Sequence, residues 1–177
     1  MKVLFIGDIV GRRARNYAQE KIVELKTKLK LDAIIVNVEN SAGGFGVTPS
    51  ICDDFFRVGA DVLTTGNHIW DKREIISYIT KNDRLLRPLN MIEGTPGLGM
   101  TTVDLDAGKI GVANIMTNLF MQKTDNVFDK IPDILEKLKL KKNVDFSLVD
   151  IHGEASSEKM ALGNALDGKV TAVVGTH

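Results

Sequence analysis

Five short stretches of this chain place metal-binding or proton-handling side chains just beyond apolar runs. They give Asp8, Glu39-Asn40, Asn67-His68, His152 and His177. All three histidines of the sequence are in this set, and Gly7, Gly66, Gly153 and Gly175 lie beside its members. Each residue has an ordinary reading when taken alone. Asp8 suits a helix N-cap, Asn67 suits a turn, and a lone histidine is commonly a satisfied structural residue. Together they differ, because two acids, two amides and three imidazoles gathered at one place would repel or stay unsatisfied without a common partner. A pair of divalent cations is the simplest such partner. Carboxylate with imidazole suits Mn, Fe or Zn better than Mg or Ca. A carboxylate such as Glu39 can bridge two ions about 3.5–4 Å apart, the spacing of two-metal hydrolytic sites. The single cysteine, Cys52, is remote from the set, which argues against a structural zinc site.

The elements that must position these residues alternate along the chain. Lys2–Gly7, Ala33–Val38 and Ala60–Thr65 read as buried strands, and Val144–Ile151 and Lys169–Gly175 as two more. Between them, Arg15–Lys30 carries Tyr17, Ile22, Leu25 and Leu29 at helical spacing. Thr48-Pro49 opens a helix that Gly59 ends. Asp71–Lys81 reads as a helix with Asp71 and Glu74 as an acidic capping box. Asn126–Lys142 reads as a helix that Pro132 kinks, and Glu154–Leu166 as a further helix. No helix separates "MTTVDL" from "KIGVANI", so Asp106-Ala107-Gly108 predicts a hairpin. Periodicity thus predicts an α/β protein with one mostly parallel sheet and an antiparallel addition, its strand ends on a common edge.

At 177 residues the chain has the length of one domain, 1–177, with a sizeable core. Lys+Arg and Asp+Glu both total 23, so charge gives no case for a nucleic-acid or membrane partner. The apolar run Val3–Ile6 is too short for a signal peptide, and no stretch approaches the roughly 18 apolar residues of a membrane span. A cytoplasmic protein is expected. Cys52 cannot form an internal disulfide and is expected to be a half-buried small side chain on a helix.

The motifs "GDIVG", "VENSAGG", "GNHIWD", "DIHGEASSEK" and "VVGTH" occur in that order from Met1 to His177. They resemble the YmdB-like branch of the calcineurin-like metallophosphoesterases. The resemblance implies a sandwich of two β-sheets flanked by helices, with two metals at the strand ends. It implies hydrolysis of small phosphodiesters, 2′,3′-cyclic nucleotides in this branch, by a hydroxide bridging the metals. Carried over, Asp8, Glu39 and Asn40 serve the first metal, with Glu39 bridging. Asn67, His152 and His177 serve the second, and His68 is the catalytic histidine that protonates the leaving ribose oxygen. The branch departs from the wider superfamily in lacking a histidine two residues after Asp8 and in having Glu39-Asn40 in place of Gly-Asp. The family's closing motif resembles G-T-H-x-H, whereas this sequence stops at its first histidine, His177. The resemblance therefore implies a chain truncated at its C-terminus, with the first metal short of one ligand. It also implies a tendency to assemble as homo-oligomers.

Other features are weaker. Arg12, Arg13 and Arg15 could hold phosphate or form a solvated helical turn. Gly43, Gly44 and Gly46 could admit substrate to the backbone, but "SAGGFG" lacks the Lys-Ser/Thr of a P-loop. Trp70 could stack on a base or pack in a core, and Ser156 and Ser157 suit helix capping. A non-catalytic metal- or nucleotide-binding module would keep the fold; a donor such as His68 beside the metals is what it would not need. The dinucleotide fingerprint G-x-G-x-x-G is absent, which disfavours a hydride-transferring enzyme.

Overall fold

The computed structural model describes residues 1–177. Two sheets stand where periodicity alone predicts one. β1 (Val3–Ile6), β2 (Ala33–Asn37) and β3 (Val62–Thr64) form a parallel sheet in that order. β4 (Met100–Leu105), β5 (Gly108–Met116), β6 (Phe146–His152) and β7 (Ala172–Thr176) form a second, in which only β4 runs antiparallel. Periodicity identifies strands but not their neighbours, so the single sheet is corrected to the two-sheet sandwich that the family resemblance implies.

The two sheets pack through a layer of Ala33, Ile35, Val62 and Leu86 from the first side and Ile110, Val112 and Leu148 from the second. The opposite faces are covered by helices. α1 (Gly11–Leu29), α2 (Pro49–Arg57) and α3 (Ile75–Ile79) close over Ile34, Val36 and Leu63. α4 (Ile131–Lys137) and α5 (Ser156–Leu166) close over Ala113, Ile115, Val149 and Ile151. Strands covered on both faces must be apolar on both, which is why β2 reads as an unbroken run. Each aliphatic side chain fully buried in these layers contributes about 1.5–3 kcal/mol.

Alternation along the strands sets the site. Inward positions run Ala33, Ile35, Asn37 on β2; Val62, Thr64 on β3; Ile110, Val112, Asn114 on β5; and Leu148, Asp150, His152 on β6. β7 continues the pattern with Ala172, Val174 and Thr176. The space between the sheets is therefore apolar at one end and polar at the carboxyl ends.

Several element boundaries differ from expectation. α1 begins at Gly11, four residues early, and its inner face is Ala14, Ala18, Ile22 and Leu25, with Tyr17 exposed. Asp71 and Glu74 form no capping box; Asn67–Trp70 is a 3₁₀ turn and α3 starts only at Ile75. The expected 126–142 helix is a 3₁₀ turn, Val127–Lys130, followed by the short α4. Pro132 lies in the first turn of α4, where its missing N–H costs nothing, so it starts a helix and does not kink one. The Asn143 side chain donates to the carbonyls of Glu136 and Lys137 and closes that helix early. Ser156 and Ser157 open α5 without capping it. Thr48 does cap α2, accepting from the Ile51 N–H with Pro49 behind it, and the hairpin turns at Asp106-Ala107. Cys52 is wholly buried on α2, and burial pushes its thiol pKa up. No helix is long and apolar enough to cross a membrane.

Candidate metal centre

Glu39, His152 and His177 converge so that one ligand atom from each lies within 4.8 Å of the others. Glu39 stands two residues past β2, His152 ends β6, and His177 follows β7. Parallel register sets the ends of β6 and β7, with His152 and His177, side by side, and the packing of the first sheet on the second brings Glu39 to the same edge. Glu39 and His152 are fully buried, while the His177 side chain is 29% exposed, so the cluster opens on His177's side.

Glu39 Oε1 accepts from the backbone N–H of His68 at 2.8 Å. Its other oxygen, Oε2, lies 2.6 Å from His152 Nε2 yet receives no hydrogen bond. His152 Nε2 is also 3.1 Å from Asn67 Oδ1. A carboxylate oxygen, an amide oxygen and an imidazole nitrogen thus face one another. A buried acceptor without a donor is costly, and a cation removes the cost. The residues present fit a divalent metal on these grounds and on the chemistry of the donors, carboxylate, amide oxygen and imidazole.

Asp8 and Asn40 form a second group beside the first. The Asn40 amide donates to both Asp8 oxygens, at 3.1 and 3.2 Å, and leaves its own buried Oδ1 without a partner. Burial pushes the Asp8 pKa up, and the Glu39 carboxylate pushes it the same way. The two loops are tied together by the N–H of Ile9 on Asn37 O and of Gly11 on Asn40 O.

His68 stands apart from the convergent acceptors. Its Nδ1 is 2.8 Å from Asp71 Oδ2, its side chain is 27% exposed, and Phe45 meets its ring edge-to-face at 5.0 Å. Gly66 is needed here for a reason other than its turn. Its φ of −161° is open to any residue, but a Cβ on it would overlap the His152 imidazole.

A family model described as "YmdB-like protein" matches residues 4–177. The chain belongs to the YmdB-like family. This YmdB-like chain is 42% identical over 177 residues to the 2′,3′-cyclic-nucleotide 2′-phosphodiesterase of Bacillus subtilis (strain 168), covering all of this chain and 66% of that protein. Among solved structures it is similar to a protein of Thermus thermophilus (TM-score 0.90, 33% identity, all of this chain and 68% of that one). It is also similar to a phosphatase of Mycoplasma pneumoniae (TM-score 0.87, 31% identity, all of this chain and 64% of that one). The YmdB-like chain spans about two thirds of the length of the curated relatives it matches. The family implies use of divalent metal.

The seven residues assigned from the sequence to metals or proton transfer lie at or beside this edge. Glu39, Asn67, His152 and His177 come together, Asp8 and Asn40 pair alongside, and His68 flanks them. Arg15 points elsewhere, donating to Ser41 O at 3.0 Å, and Arg12 and Arg13 are exposed. Trp70 packs against the helix-covered core and lines a cavity of about 130 Å³ with Met91, Ile92 and Met116. The sequence reading missed Glu154, 3.1 Å from His177 Nε2, and the polar floor of Asn37, Thr64, Asp150 and Thr176. The signal for that floor is present in the strands, as the change from apolar to polar at every second residue.

Proposed function

We propose that this YmdB-like chain is a metal-dependent phosphodiesterase that hydrolyses 2′,3′-cyclic nucleotides. The observation that carries the reading is a histidine, His68, held on Asp71 beside, but outside, a cluster of buried acceptors. A module that only binds metal or nucleotide has no use for it. In this reading Asn67, His152 and His177 would hold one cation, Asp8 and Asn40 would hold the other, and Glu39 would serve both. The donor set favours Mn or Fe and is compatible with Zn. The chemistry such a pair supplies is activation of water and neutralisation of phosphoryl charge.

The protein's own groups do the rest. The His68 N–H holds Glu39 Oε1, which leaves Oε2 turned into the cluster. Asp71 accepts from His68 Nδ1, so a proton the ring gives away must come from Nε2 of the doubly protonated imidazolium. As water oxygen bonds to phosphorus, one P–O bond to the ribose breaks, and that ribose oxygen takes the His68 proton. Phe45, more than half exposed against the His68 ring, offers an apolar wall for the nucleoside. The 42% identity to a 2′,3′-cyclic-nucleotide 2′-phosphodiesterase supports the choice of substrate.

The test is turnover of 2′,3′-cyclic AMP by Mn²⁺-loaded protein, with products separated by chromatography and metal counted by elemental analysis. A nucleoside monophosphate is expected. Protein that holds Mn²⁺ and turns over neither this substrate nor bis-p-nitrophenyl phosphate would be a binding module.

A further inference from the structure

Beneath His152 lies a buried polar chain that joins the two sheets. His152 Nδ1 is 3.1 Å from Thr176 Oγ1, and Thr176 donates its hydroxyl proton to Asp150 Oδ1 at 2.8 Å. The other Asp150 oxygen accepts from the Thr64 hydroxyl at 2.6 Å and from Asn37 Nδ2 at 3.0 Å. Asp150, Thr64 and Asn37 are fully buried and Thr176 nearly so. Asn37 and Thr64 belong to the first sheet, Asp150 and Thr176 to the second.

A hydroxyl has one proton to give. The Thr176 proton goes to Asp150, so towards His152 the Thr176 oxygen can only accept, and His152 Nδ1 must carry the hydrogen. Neutral imidazole has a single N–H, so Nε2 is then a bare lone pair. That lone pair faces Glu39 Oε2 and Asn67 Oδ1, and Glu39 Oε2 is without a donor. Two lone pairs at 2.6 Å need a positive charge between them, a proton in the empty protein or a metal cation in the loaded one.

We propose that Asp150 and Thr176 are positioning residues that fix the His152 tautomer, with Nδ1 protonated and Nε2 open to a metal. The role of the cation rests on the metal-dependent reading above; the tautomer does not. Outer partners of this kind are worth about 10–100-fold in metal affinity.

The tautomer is read directly by long-range ¹H–¹⁵N correlation on the metal-free chain at about pH 8, above the ordinary histidine range. Mn²⁺ affinity is measured by titration calorimetry on wild type, Thr176→Val and Thr176→Ser. A proton on His152 Nδ1 in wild type is expected. Thr176→Val, which keeps the shape and loses the acceptor, is expected to shift that proton to Nε2 and to bind Mn²⁺ about 10–100-fold more weakly. Thr176→Ser is expected to retain both. A bare Nδ1 in wild type would overturn the proposal, as would folded Thr176→Val with wild-type affinity. If Thr176→Val does not fold, wild type and Thr176→Ser still decide. Wild type that binds no Mn²⁺ would defeat the metal-dependent reading, while the tautomer would still decide the positioning role.

Discussion

Glu39 and His152 meet at 2.6 Å with both side chains fully removed from water, and the Glu39 oxygen in that contact receives no hydrogen bond. Such an arrangement costs stability until a cation enters, the usual trade between a functional site and a stable one. Glu39→Gln removes the negative charge while keeping the shape. In a chelator the variant is expected to melt at or above wild type. The rise in Tm that Mn²⁺ gives wild type, which follows RT ln(1 + [L]/Kd), is expected to vanish in the variant. Differential scanning calorimetry with and without Mn²⁺ reads both. A marked loss of metal-free stability would mean that the carboxylate is compensated in the empty protein.

His68 divides proton transfer from metal binding, because its ring is turned to Asp71 and only its backbone N–H touches Glu39. His68→Ala keeps that N–H. Turnover of 2′,3′-cyclic AMP is expected to fall about 10²–10⁴-fold, the worth of a positioned general acid, with Mn²⁺ content unchanged. Turnover within a few-fold of wild type would remove His68 from the mechanism.

What the sequence made legible follows from how local each signal is. Asp8, Glu39, Asn40, Asn67, His152 and His177 are visible because each ends a strand or follows one within three residues, and parallel register brings such ends together within each sheet. The division into two sheets was not visible in the periodicity, since β3 and β5 look alike to a period of two and nothing local tells a strand which neighbour it will pair with. Asp150 was passed over because it sits inside a strand, between Val149 and Ile151, where its partners Asn37 and Thr64 are remote in sequence. The capping box failed because the Asp71 side chain is engaged by His68, three residues back, and is not turned forward to cap.

Cys52 is wholly buried in the core beneath α2, and burial raises its thiol pKa, which keeps it neutral and shielded. The thiolate is the reactive form, so the folded chain is expected to be inert to Ellman's reagent at about pH 8. One thiol is expected to appear on unfolding in guanidinium. Rapid labelling of native protein would show that α2 opens readily.

Gly66 is the point where the chain, between β3 and the turn carrying Asn67 and His68, passes His152. Its φ of −161° is accessible to alanine, so backbone strain makes no contribution to its requirement. What forbids a side chain is the imidazole, whose ring occupies the place of the missing Cβ. The ring cannot yield easily, because its Nδ1 is held by Thr176 and its Nε2 faces Glu39 and Asn67. Gly66→Ala is therefore expected to cost about 1–3 kcal/mol, the usual penalty of overpacking a dense interior. It is also expected to weaken Mn²⁺ binding, since the displaced group is a candidate ligand. Gly163, whose missing Cβ would meet open space, supplies the control in Gly163→Ala, where neither loss is expected. Urea unfolding and calorimetric titration on the two variants separate the cases. Equal behaviour of both would mean that the His152 ring has room to move, and the rigid centre argued from its three contacts would have to be given up.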